Sequence, residues 1–168
     1  MARRYARPND LLHRVNGMTS LDFLDHAEEL VRDGRPAFAR SSVSRAYYAA
    51  HHAVVLFLFD LGVRTPTDGK CHVAAFNALI STHGVDVDIC STGSDLMTLH
   101  SKRNIADYRW HNLTLEAQTQ ALPLVHSARQ IMDALDVCSG DQDRSDNLWS
   151  HFRLWVPLHG GALGLTLV

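Results

Sequence analysis

Between Arg40 and Asp60 the chain reads RSSVSRAYYAAHHAVVLFLFD, without a glycine or a proline. Arg45, Tyr48, His52, Val55 and Phe59 fall on one helical stripe; Tyr47, His51, Val54 and Leu58 fall on the next. A segment apolar around most of its circumference predicts a central, buried helix. Its β-branched and aromatic end also suits a strand, but strands rarely exceed about ten residues, and the length decides for helix. The helix starts either at Pro36, tolerated in a first turn, or with Ser41 or Ser42 as cap.

Working outward, Thr19 and Asp22 form a capping-box-like start. Leu21, Leu24, Ala27 and Val31 follow at helical spacing, and Gly34 closes a helix over 20–33. GVRTPTDG, Gly62 to Gly69, predicts a loop. A third helix runs from Cys71 to His83 and stops at Gly84. VDVDIC alternates like a short strand but has no evident partner, so 85–93 is expected to be loop. Ser94, or Thr92 with Asp95, caps a fourth helix to Asp107, and Thr114 caps a fifth that continues to Val137. Pro123 should kink that helix or displace its start. The result is an all-α bundle of about five helices over 19–138, preceded by a basic arm over 1–18. Beyond it, 139–168 read as a polar linker, SGDQDRSDN, and an apolar, aromatic tail. That tail is open between a poorly ordered appendage, a partner-docking segment and a sixth helix over 148–156.

The chain has 168 residues, 46% hydrophobic and 20% charged, with a net charge of −2. These values suit one globular domain and give no strongly basic surface for nucleic acid. All but Lys70 and Lys102 of the 16 basic residues are Arg, the better bidentate phosphate ligand. Cys71, Cys90 and Cys138 form no CxxC and read as reduced thiols in a cytoplasmic protein. No secretory signal opens the chain, and the longest apolar run, Ala53 to Phe59, is too short to span a bilayer. Phosphate-loop, dinucleotide, zinc-protease and nucleophile-elbow motifs are missing, and no histidine spacing matches a metal site. Neither a metal nor another cofactor is expected.

Chemistry concentrates in LHSKRNIADYRWHN, Leu99 to Asn112. His100, Asn104, Asp107 and His111 would share one helical face, and Arg103 stands four residues from Asp107, within salt-bridge reach. Such a set suits phosphoryl transfer: Arg stabilises developing charge, His moves protons near pH 7, and Asn orients. It equally suits the solvated, charge-capped end of a helix. On helix two, Arg45, Tyr48 and His52 are spaced three and four. A buried Arg45 would need an acidic partner, and Asp107 is the natural candidate.

FLDHAEELV, SVSRAYYAAHHAVVLFL, GKCHVAAFNALISTHG and LHSKRNIADYRW, taken in this order, resemble the HEPN (higher eukaryotes and prokaryotes nucleotide-binding) domain over residues 20–137. RAYYA and R-N-x-A-D-Y carry the likeness. The resemblance implies an up-and-down helical bundle that commonly dimerises and that in many members cleaves RNA without a metal. The site in such members is an Arg, the polar residue after it, and a His separated from the Arg by four to six residues. Arg103 and Asn104 match the first two; positions 108–110 hold Tyr108, Arg109 and Trp110, and His111 lies one place beyond. The implied catalytic set is Arg103, Asn104 and His111, with Asp107, Tyr108, Arg45 and Tyr48 supporting. His111 would move protons as a 2′-OH attacks the adjacent phosphate, leaving a cyclic phosphate. Relatives act as toxins beside a nucleotidyltransferase antitoxin or in phage defence, and a tyrosine such as Tyr108 can be a target of nucleotide modification. The alternative is a non-catalytic HEPN module that binds a nucleotide or a partner protein.

Overall fold

Helix α1, Ser20–Asp33, opens on a capping box: the Thr19 hydroxyl accepts from the Asp22 amide at 3.2 Å, and the Asp22 carboxylate accepts from the Thr19 amide at 2.6 Å. It ends at Gly34, whose φ of 77° is the left-handed turn that glycine adopts without cost from a Cβ. Helix α2, Pro36–Asp60, follows with Pro36 in its first turn. These are elements of a computed structural model that describes residues 18–168; the basic arm expected over 1–18 lies, but for Met18, outside them.

Helix α2 is the core of an all-α helical bundle. Its Ala39, Val43, Ala46, Tyr47, Ala49, Ala50, Val54 and Leu58 are fully buried, and the alanines let α1, α4 and α5 approach closely. Helix α3 is Cys71–Ile80, α4 Val87–Tyr108, α5 Gln118–Ser139 and α6 Gln142–His159, with a 3-10 turn over Ser81–Gly84 ending the third helix. A two-residue antiparallel pair, β1 (Val63–Arg64) with β2 (Thr166–Leu167), returns the chain's end to the loop after α2.

The stretch expected as loop over 85–93 is the start of α4. Asp86 caps it, its carboxylate accepting from the Ile89 amide at 3.1 Å. Gly93 is no helix breaker here. A Cβ on it would lie 2.8 Å from the Ile80 nitrogen and from the Leu79 Cβ, so its place is set by the contact of α4 on α3. Thr114 does not cap α5. It sits in a 3-10 turn, Leu113–Leu115, where the Asn112 side chain accepts from its amide at 3.1 Å and its hydroxyl at 2.6 Å. Helix α5 then starts at Gln118 and continues through Pro123.

The residues expected as a polar linker are the beginning of α6, capped by Asp141, which accepts from the Arg144 amide at 3.1 Å. Leu148, Phe152 and Val156, four apart, face the core. Arg144 ties the new helix down: it donates to both oxygens of Asp86, at 2.7 and 2.9 Å. No described helix is long and apolar enough to cross a membrane.

Candidate functional site at the polar seam of α2, α3 and α4

Helix α4 ends against α2, and a partly buried arginine of α2 makes the junction. It is Arg40. Its guanidinium donates to the carbonyls of Ile105, Ala106, Arg109 and Asn112 at 2.6–3.1 Å. They lie at the end of α4, where the Ile105 carbonyl also accepts from the Arg109 amide at 3.1 Å, and a cation there opposes the helix dipole. Arg45, expected to be buried and paired with Asp107, is exposed. One residue beyond the buried Ser44, it is rotated about 100° out of the seam. Ser44 is the α2 residue that reaches Asp107, donating its hydroxyl at 3.2 Å.

Asp107 instead pairs with Arg103 along its own helix, the Arg103 Nε standing 2.8 Å from its Oδ2. Arg103 is only 8% exposed. Its Nη1 donates to the Asn104 side-chain oxygen at 3.1 Å, and its Nη2 donates to the Tyr48 hydroxyl. The guanidinium also lies 5.0 Å from the Tyr48 ring centroid and 5.1 Å from that of Tyr108. Burial works against its charge, but Tyr48, Asp107 and Tyr108 together raise the Arg103 pKa above its ordinary value. Arg103, Asn104, Asp107, Tyr48 and Tyr108 are thus one assembly.

His111 stands apart from it. It is exposed, beyond the end of α4, with its ring edge-on to Trp110 at 6.1 Å. Among the described residues no hydrogen bond, ion pair or ring contact joins it to Arg103 or Asn104. The shared face expected for His100, Asn104, Asp107 and His111 ends with the helix at Tyr108. Around this exit Tyr108, Trp110 and Leu113 are 68%, 81% and 65% exposed.

Behind Arg103 the seam continues as a cluster of histidines. His100 Nε2 is 3.4 Å from the Asn104 side-chain nitrogen, and the His100 ring stacks on His72 at 5.4 Å. His72 Nδ1 is hydrogen-bonded to the Tyr47 hydroxyl at 2.7 Å, and the His51 ring lies 4.6 Å from that of His72. His51, 5% exposed, has no hydrogen-bond partner on either ring nitrogen. Burial first, then the neighbouring His72 and His52, push its pKa down to about 3, so it is neutral. Burial and nearby positive charge also lower His72 and His100. His51, Cys71 and His72 each bring one ligand-type atom within 4.8 Å of the other two. No sequence spacing announces this: His51 comes from the middle of α2, and Cys71 and His72 from the first turn of α3.

Comparison with known proteins returns no match, whether to a family model, to a curated protein or to a solved structure.

Proposed function

We propose that the chain is a non-cleaving HEPN-like helical module that binds a partner protein through the exit of α4, with Arg103, Asn104, Asp107 and Tyr48 supporting that face. The reading takes its family from the RAYYA and R-N-x-A-D-Y segments. One observation carries it: Arg103 is buried and engaged by Asp107, Asn104 and Tyr48 of its own chain, so a phosphate would have to displace them. The adjacent Tyr108, Trp110 and Leu113 expose aromatic and aliphatic surface of the kind that anchors protein interfaces.

A second reading is metal-independent RNA cleavage by a toxin-like dimer. One observation favours it: His100 stands beside the Arg103–Asn104 pair although His111 does not. One experiment separates the two. Tagged wild-type and Trp110→Ala proteins are purified from native cells, and both eluates are incubated with total RNA and tRNA in EDTA. The first reading expects intact RNA and a partner whose affinity falls on the order of tenfold to a hundredfold in Trp110→Ala. Cleavage lost in folded Arg103→Ala and His100→Ala proteins overturns it in favour of the second.

A further inference from the structure

We propose that His51, Cys71 and His72 form a binding site for a zinc-class transition-metal ion, with three protein ligands and a fourth position open to an adjoining cavity. The inference goes beyond the partner-binding reading and does not depend on it. Three features, apart from the proximity of the side chains, point to a ligand.

The first is His51. An imidazole held in the core ordinarily satisfies at least one ring nitrogen, because an unpaired polar group there costs free energy. Both nitrogens of His51 are unpaired and shielded from solvent, while the ligand atoms of Cys71 and His72 stand within 4.8 Å. A metal ion would take the lone pair of one of these nitrogens, leaving only the N–H of the other.

The second is the support behind His72. The Tyr47 hydroxyl and His72 Nδ1 stand 2.7 Å apart, which fixes the ring; with the Nδ1 proton donated to that hydroxyl, Nε2 keeps its lone pair for an ion. A metal-binding histidine is commonly oriented in this way, by a hydrogen bond to the nitrogen that does not face the ion. Tyr47 is itself fully buried, so the support is rigid.

The third is access. A cavity of about 380 Å³ is lined by His51, Cys71 and the β1-to-α3 segment around Arg64, Thr65 and Pro66. It offers an entry path and room for a solvent ligand. Two imidazoles and one thiolate suit zinc and its soft or borderline neighbours, whereas calcium and magnesium require oxygen ligands. Ligand atoms around a tetrahedral zinc stand roughly 3.3–3.6 Å apart, so ion entry draws the three side chains inward by about 1 Å. Binding takes the proton from the Cys71 thiol and releases it to solvent. The resulting thiolate offsets part of the ion's charge, and Asp107 already balances nearby Arg103.

Cobalt(II) is the probe, since a thiolate–cobalt bond gives a charge-transfer band in the near ultraviolet. The purified full-length chain should bind one equivalent of Co²⁺ with that band, and Zn²⁺ should displace it. Cys71→Ser should abolish the band while Cys90→Ser keeps it, with far-ultraviolet circular dichroism unchanged in both. His72→Gln, a half-buried position, provides a second ligand variant should Cys71→Ser fail to fold, and it too should lose the band. Tyr47→Phe should weaken Co²⁺ affinity about tenfold to a hundredfold through loss of the bond to His72. A wild-type protein that shows no band and retains no zinc overturns the proposal, as does a band that survives Cys71→Ser or His72→Gln.

Discussion

Arg103 commits its two terminal nitrogens inside its own chain, to Asn104 and Tyr48, and pairs its charge with Asp107, while its buried Nε makes no hydrogen bond. Hydrogen bonds to a charged group contribute more than neutral ones, and an abandoned buried charge costs more than the pair gains. Tyr48→Phe removes one acceptor and little volume. It should lower the unfolding free energy by about 2 kcal/mol in urea denaturation; a change under about 0.5 kcal/mol would mean that Arg103 finds solvent readily. The i,i+4 pairing of Arg103 with Asp107 was legible from spacing alone, because both lie on one helix. The pairing expected of Arg45 with Asp107 does not form, because which α2 residue meets Asp107 depends on the rotational setting of α2 against α4. Tertiary packing put Ser44 in the seam and Arg45 outside it.

At the scale of elements, α1 and α2 carry their instructions locally: a capping box, an apolar stripe, a proline in a first turn. The start of α4 does not. Its glycine and its alternating VDVDIC look like a break, yet Asp86 caps a helix there and Gly93 admits the backbone of α3. Gly93→Ala therefore sets two effects against each other. Alanine favours a helix by about 1 kcal/mol over glycine, but its Cβ would press on the Ile80 nitrogen, the Leu79 Cβ and the Phe76 carbonyl, two of them backbone atoms. Overpacking of this kind costs about 1–3 kcal/mol, and a lower melting temperature is expected. A raised one would show that α3 and α4 separate easily. The His51, Cys71 and His72 cluster belongs with Gly93: a meeting of α2 with α3 that no window of sequence contains.

At the scale of the whole molecule, the last helix is joined to the bundle by its apolar face and by Arg144 on Asp86. Burial alone would raise the Asp86 carboxyl, but the hydrogen bonds from Arg144 and from the Ile89 amide carry it below its ordinary value of 3.8. An unfolded chain takes up that proton nearer the ordinary value, so the pair's full stabilisation is present above it. The contribution is lost as pH falls from there through the lower folded value. Melting temperature should therefore drop between about pH 5 and pH 3, and less steeply in Arg144→Gln. Equal slopes would show that the pair does not hold α6.

Whether Arg103 serves the fold or a reaction is decided most directly by the unfolding free energy of Arg103→Ala, measured in urea beside the wild type. A loss of about 2 kcal/mol or more is expected, from the hydrogen bonds and packing that the buried guanidinium gives up while the exposed Asp107 stays solvated, with no RNA cleavage by either protein. Unchanged stability, together with an RNA-cleaving activity that only the wild type has, would contradict the structural role and make Arg103 a catalytic residue.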